Sequence, residues 1–210
     1  MLIKIKKLLW PLFQLLRIDS LYLLYKKSYL KEVGWFKSYR KKESIDKNGQ
    51  PIPWLTYSCI AFLEERLNEN MEIFEYGSGN STLWFANKCK NVTSVEYDKN
   101  WYEKIKKIAP KNTNILFERK ETNNYIKSIS STNKKYDVII IDGRNRGKCM
   151  KESINHLKDN GIIILDDSER QIYQNGIKFL KNNNFKEITF TGMGPINIYG
   201  WTTSIFNKYD

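Results

Sequence analysis

Residues 71–85 read MEIFEYGSGNSTLWF. A short apolar run (Met71, Ile73, Phe74, Tyr76) carries one acid, Glu75, and enters Gly77-Ser78-Gly79. An apolar helix pattern starts directly afterwards. The order predicts a strand, a tight glycine turn and a helix N-terminus. Such a turn lets a ligand approach bare backbone, and the helix start offers unpaired N–H groups. A plain strand-to-helix turn would look similar, because short glycine motifs are common. The rest of the chain decides between the two.

Downstream, the rhythm of strand and helix repeats. Strands are expected at 71–76, 91–96, 114–117, 136–142 and 161–165, with helices at 81–88, 100–108, 121–130, 148–157 and 169–181 between and after them. Val138–Ile141 and Ile162–Leu165 are apolar without alternation, which implies burial on both faces. Alternating units of this kind predict an α/β, doubly wound, mostly parallel sheet. The end differs. Residues 185–191 and 199–207 read as two strands joined through Gly192, Gly194 and Pro195, a C-terminal antiparallel β-hairpin that completes a seven-stranded sheet.

Upstream, residues 1–50 read as a basic, helical N-terminal arm and linker, and residues 51–210 as the domain. The chain of 210 residues carries +12, and residues 1–42 hold eleven Lys/Arg against Asp19 and Glu32, a net +9. Residues 2–18 are rich in Leu, Ile, Trp and Phe, with Lys4, Lys7 and Gln14 towards one side of a helix and Pro11 predicting a kink. The apolar run is too short to span a bilayer, and no small-residue cleavage site follows it. Two readings compete for residues 1–30. One is an interfacial helix on an anionic membrane, which would place a cytoplasmic protein peripherally at the inner membrane face. The other is packing on the domain or on a second subunit of a homodimer. The Leu/Ile density fits lipid or protein better than nucleic acid. Residues 37–50 read as an exposed linker, and Pro51 and Pro53 lead into a helix capped by Thr56 or Ser58.

The single histidine, His156, excludes two-histidine zinc motifs and is expected to be structural. Cys59, Cys89 and Cys149 have no metal-ligand spacing and read as free thiols.

Ligands in such sheets bind beyond the carboxyl ends of the strands. Those ends hold Glu75 with the glycine turn, then Glu96-Tyr97-Asp98, Asp142-Gly143-Arg144 and Asp166-Asp167-Ser168. Acids gathered on one edge repel each other, so a ligand is the better explanation. Glu96 lies 21 residues after Glu75, where an acid can accept from both hydroxyls of a ribose. The turn departs from GxGxxG, and a negative Glu75 opposes a pyrophosphate. It suits a cofactor with an amino group and a sulfonium.

Together, Glu75-Tyr76-Gly77-Ser78-Gly79, Glu96, YDVIIIDG, LKDNGIIILDD and the terminal hairpin resemble the class I S-adenosylmethionine-dependent methyltransferases, over about residues 51–207. The resemblance implies that Glu75, Gly77, Ser78, Gly79 and Ser81 hold the amino-acid end of S-adenosylmethionine. Glu96 and Tyr97 would take the ribose side, with Asp142 beside the chemistry. Ser81 stands where a third glycine is usual. The second half looks more narrowly like O-methyltransferases of small molecules and sugars, including the catechol and macrocin types. In that likeness Asp142, Asp166 and Asp167 are the positions of a Mg²⁺ site; either Asp142 or Asp167 is then the base, or the metal suffices, or the metal is absent and the acids serve binding alone. The histidine that macrocin-type enzymes can carry after the fourth strand is absent. Gly143-Arg144-Asn145-Arg146 stands there. Arg144 and Arg146 are candidates for an anionic substrate group, or ion-pair partners of the neighbouring acids. Trp54 and Tyr57 are candidate pocket residues.

The expected function is methyl transfer from S-adenosylmethionine to a hydroxyl of a small molecule, a sugar or surface-glycan precursor. The alternatives are an RNA or protein methyltransferase steered by the arm, or a non-catalytic nucleoside-binding relative at a membrane. No N/D-P-P-Y motif follows the fourth strand, which argues against methylation of exocyclic nitrogens and leaves nucleic acid the weaker partner.

Overall fold

The computed structural model describes residues 10–208. The sequence expectations for residues 2–9, including Lys4 and Lys7, lie outside them.

Residues 10–15 are helical. Three helices follow: α1 (Asp19–Lys27), α2 (Tyr29–Glu32) and α3 (Trp35–Lys41). Helix α4 (Tyr57–Arg66) then leads into β1 (Glu72–Tyr76), α5 (Asn80–Ala86), β2 (Asn91–Glu96), α6 (Lys99–Ile108) and β3 (Thr113–Phe117). The second half comprises α7 (Asn123–Ser131), β4 (Tyr136–Ile141), α8 (Arg146–Ser153), β5 (Leu157–Leu165), α9 (Gln174–Asn182), β6 (Lys186–Gly192) and β7 (Trp201–Asn207).

The sheet has seven strands in the order β3-β2-β1-β4-β5-β7-β6, parallel except for β7, which runs antiparallel to both of its neighbours. The strand order reverses between β1 and β4, and a crevice forms beyond their carboxyl ends. The unbroken apolar strands feed two cores. Phe74, Tyr76, Ile139, Ile141, Ile163 and Leu165 pack on one face with α7, α8 and α9. Ile73, Val138, Ile140, Ile162 and Ile164 pack on the other with α4 and α5. Burial on both faces is what a crossover sheet requires.

Several boundaries differ from expectation. The helix foreseen at 169–181 is replaced by a 3₁₀ turn (Gln171–Tyr173) and α9. Residues 167–169 are held against β7 instead: Ser168 N–H donates to Thr202 O (2.9 Å), and Thr202 N–H donates to Glu169 Oε2 (3.0 Å). The Thr56 hydroxyl does not cap α4. It donates to Phe190 O (3.2 Å), stapling the helix start to β6. The expected exposed linker at 37–50 is an ordered element. Its first part is helical, its second is a turn in which Asp46 Oδ1 accepts from Asn48 N–H and Gln50 N–H (2.8 Å each), and Ser38, Ser44 and Ile45 are buried.

Residues 10–27 behave otherwise. No residue of α1 is buried, and Leu12, Leu15, Leu16, Leu21, Leu23 and Leu24 are exposed. The segment touches the rest of the chain through Tyr25, whose ring lies edge-on to Phe36 (centroids 5.2 Å apart) and whose Oη accepts from the Arg40 guanidinium (3.5 Å). Among the described residues no helix is long and apolar enough to cross a membrane.

Candidate functional site

Gly77 ends β1 with φ at +114°, a conformation that costs an L side chain strain, and its N–H donates to Val95 O (2.9 Å). This bends the chain away from the sheet and opens a cavity of about 320 Å³. Its walls include Glu75, Gly77, Ser78, Ser81, Glu96, Tyr97 and Asp142, all singled out in the sequence, and Trp101, which was not. Gly79 needs no special conformation. Its hydrogens face the Trp101 ring at ordinary contact distance.

Glu96 is buried, and its carboxylate is fixed at both ends. Oε1 accepts from Tyr97 N–H (2.8 Å) and Asp98 N–H (2.9 Å), and Oε2 accepts from the Ser78 hydroxyl (3.0 Å). A buried carboxylate supported in this way stands ready for hydroxyl donors of a ligand. Trp101 is set by α6: its backbone N–H caps on Asp98 Oδ1 (2.9 Å) and its indole N–H donates to Ser78 O (2.7 Å). The indole therefore clamps the glycine turn and lays an aromatic surface along the cavity. An aromatic residue in the first turn after the second strand's acid was the sequence signal available for it.

Glu75 lies beneath the turn rather than at its mouth. It is 1% exposed and accepts from the hydroxyls of Ser81, Thr82 (2.5 Å) and Ser94 (3.2 Å). Burial pushes its carboxyl up to about 7 against these hydroxyls, with the Glu96 charge adding to the rise. Glu75 thus shapes the turn and tints the cavity negative, while its own hydrogen bonds are internal.

Asp142 follows β4 and lines a second cavity as well, of about 410 Å³. Trp54, Tyr97, Arg144, Asp167, Tyr199 and Trp201 are among its other walls. Tyr97, Asp142 and Gly143 belong to both cavities, so the two meet there. Gly143 is dictated by space: a Cβ would lie 2.0 Å from Tyr125 Oη. Tyr57, expected in a pocket, lines neither of these two cavities. It is buried in the α4-side core with its ring edge-on to Tyr29.

The arrangement of Asp142, Asp166 and Asp167 does not suit a metal ion. Arg146, itself buried, lies between the carboxylates of Asp142 and Asp167. Its guanidinium meets Asp142 Oδ1 at 2.8 Å and Asp167 Oδ2 at 3.3 Å. It also donates to the carbonyls of Asp142 (3.1 Å), Gly143 (3.0 Å) and Asp166 (2.5 Å). Asp166 turns the other way, its Oδ1 accepting from the Trp201 indole N–H (2.9 Å) and the Thr203 hydroxyl (2.7 Å). Burial, then the Asp142 charge, drives its carboxyl well above the usual range. Among the described residues no group of three or more His, Cys, Asp or Glu side chains is placed to hold a metal. At the expected Mg²⁺ site, Asp142 and Asp167 instead share the Arg146 guanidinium while the Asp166 carboxylate faces Trp201 and Thr203.

The two arginines divide their roles. Arg146 is an internal ion-pair partner, not a free substrate contact. Arg144 has its guanidinium 5.2 Å from the Tyr97 ring centroid and donates to Tyr97 Oη (3.2 Å), with no carboxylate partner among the described residues. Asp142 keeps partial exposure, and its carboxyl is pushed up to about 6, first by desolvation, then by Glu75 and Asp167, against the pull of Arg146. His156 sits away from the cavities, with Nε2 2.9 Å from Ser130 Oγ. The three cysteines are buried and free.

No family model matches the chain. A polyamine aminopropyltransferase of Buchnera aphidicola subsp. Acyrthosiphon pisum is 31% identical over 145 residues, covering 55% of this chain and 48% of that one. The chain spans about half the length of the curated relatives it matches. Among solved structures, a precorrin-6y C5,15-methyltransferase from Geobacter metallireducens GS-15 superposes with a TM-score of 0.58 at 12% identity, over 72% of this chain and 87% of that one. A protein from Staphylococcus aureus, assigned as a caffeoyl-CoA O-methyltransferase, gives 0.57 at 15%, over 92% and 100%. A third, assigned as a methyltransferase of Streptococcus mutans and solved with S-adenosylhomocysteine, gives 0.52 at 17%, over 71% and 94%. The fold is the Rossmann-like, seven-stranded one that these methyltransferase structures share. Identities this low speak to the fold; what the chain does has to be argued from its cavities.

Proposed function

We propose that the protein transfers a methyl group from S-adenosylmethionine to a hydroxyl of a small molecule, with a sugar or glycan precursor as the acceptor. The observation that carries this reading is the meeting of two cavities at Asp142, one walled by Gly77 and Glu96, the other by Trp54, Tyr199 and Trp201. Glu96 would hold the ribose diol, the bared backbone at Gly77 and Ser78 the amino-acid portion, and Trp101 and Tyr97 the flat faces beside them. Glu75 and Asp142 favour a cationic ligand there. The cofactor, when bound, supplies an electrophilic methyl on a sulfonium.

Asp142 would hold the acceptor hydroxyl and take its proton. A carboxyl near 6 is largely ionised at neutral pH and is still basic enough for the task. Arg146 fixes the carboxylate's direction and screens it from Asp167. Most of the rate would then come from orientation of the two reactants.

Aminopropyl transfer to a polyamine is the second reading, favoured by the Buchnera relative. Arg144, the cation of the second cavity that has no carboxylate partner among the described residues, would repel the nearest ammonium of a polycationic acceptor, which supports methyl transfer over it. An assay offering a diamine acceptor beside a hydroxyl acceptor separates the two.

Calorimetry with S-adenosylhomocysteine tests the cofactor. Saturable binding is expected, and Glu96→Ala should weaken it by about 1–3 kcal/mol, the loss of hydrogen bonds to a charged group. Absence of binding to the wild-type chain would sink the methyltransferase reading. Unchanged affinity in the variant would remove Glu96 from the site.

A further inference from the structure

A third cavity, of about 500 Å³, opens on the far side of Gly143. Arg144, Arg146, Lys148, Lys151 and Arg170 line it, and no Asp or Glu does. Two of these cations are already neutralised: Arg146 by Asp142 and Asp167, Arg170 by Asp167. Arg144, Lys148 and Lys151 have no carboxylate within ion-pair distance among the described residues. The remaining neighbours are neutral, with Asn145 and Asn175 as polar groups and the backbone of Gly147 facing open space. Like charges so placed raise each other's energy unless an anion joins them.

Resting on the methyl-transfer reading, we propose that the acceptor carries a phosphoryl group, as a phosphate or diphosphate ester, and that this group seats in the cavity between α8 and the 170–176 segment. Arg144 and Arg146 line both this cavity and the second one, so one molecule can span them. The phosphoryl group is then held by Arg144, Lys148 and Lys151, and the hydroxyl-bearing part lies against Asp142. The arrangement selects for acceptors by charge and places the reacting hydroxyl by tethering the far end of the molecule. It also gives a role to Arg144, which stands beside acids already paired by Arg146 and Arg170.

The test uses the full-length chain with inorganic phosphate and pyrophosphate as probes, by calorimetry near 0.15 M salt, where long-range attraction is screened. Saturable binding to one site is expected, tighter for pyrophosphate if the natural acceptor is a diphosphate and equal if it is a monoester. Lys148→Gln combined with Lys151→Gln should weaken it by about tenfold or more, the scale of two charge-assisted hydrogen bonds. Lys26→Gln combined with Lys27→Gln, in the basic arm, should leave it unchanged. No saturable binding overturns the proposal. So does equal binding by the cavity variant, or an equal loss in the arm variant. S-adenosylhomocysteine binding is measured on the same samples: if it persists while pyrophosphate fails, only the acceptor class is wrong. If pyrophosphate binds and S-adenosylhomocysteine does not, the cofactor reading fails and the anion site stands.

Discussion

Single side chains set the electrostatics of this site. Glu75 binds a proton more tightly in the folded chain, near 7, than a free carboxyl does. The folded state therefore gains relative stability at low pH and loses it as pH rises through 7, where a buried charge must form. The full effect is about 3 kcal/mol. Glu75→Gln removes that titration while keeping an acceptor for Ser81, Thr82 and Ser94. Urea midpoints of the wild type should fall between about pH 5 and 8, with a visibly smaller fall in the variant. Parallel curves would show that Glu75 does not titrate as described. Arg146 makes a second residue-scale prediction. Its guanidinium already bridges Asp142 and Asp167, so EDTA treatment and added Mg²⁺ should both leave turnover unchanged. A loss of activity on chelation, restored by Mg²⁺, would refute the guanidinium's role. Arg146→Met, by contrast, leaves two carboxylates facing each other and should destabilise the chain by about 3 kcal/mol.

At the scale of elements, α3 is what fixes the roof of the second cavity. The Trp35 indole N–H donates to Asn197 O (2.7 Å), and Ile196 N–H donates to Ser38 Oγ (3.1 Å). Asn197 and Tyr199 line that cavity. The segment between β6 and β7 is thus tied to an element more than 150 positions away in sequence. Trp35→Phe keeps the ring and deletes the bond, which should cost about 1 kcal/mol. Amide exchange in residues 194–200 should quicken, while the glycine turn after β1 is unaffected. Uniform quickening across the chain would mean that Trp35 matters only to global stability. The turn at 42–50 acts similarly beside the glycine turn, where Ser44 O accepts from the Asn80 side-chain amide (2.8 Å) at the start of α5.

For the molecule as a whole, charge and apolar surface are segregated. The domain is nearly balanced, and the first 42 residues carry +9 of the +12. In residues 10–27 the leucines stay exposed beside Arg17, Lys26 and Lys27. We propose that this arm lies on an anionic bilayer surface, its leucines inserted and its cations at the headgroups. Flotation with vesicles containing anionic phospholipid should recover the full-length chain. Replacing Leu15, Leu16 and Leu21 together by Gln should abolish recovery. Undiminished flotation of that variant would point to charge alone, and a shift of the wild type to dimer mass without flotation to a second subunit.

Sequence alone was enough for the order of strands and helices, the sheet buried on two faces, the terminal hairpin, the glycine turn and the acid at Glu96. These follow from periodicity, from backbone freedom and from residues close together in the chain. The division of labour among Asp142, Asp166, Asp167 and Arg146 was not legible. The spacing of three acids fits a metal as well as it fits a guanidinium, and only the packing of α8 against the strand ends puts Arg146 between them. Trp101, Trp35 and the three-cavity junction at Gly143 were hidden for the same reason. Each depends on distances between segments far apart in sequence, which are set when the helices close over the sheet. Local chemistry determined which elements form; long-range packing decided which charges face one another.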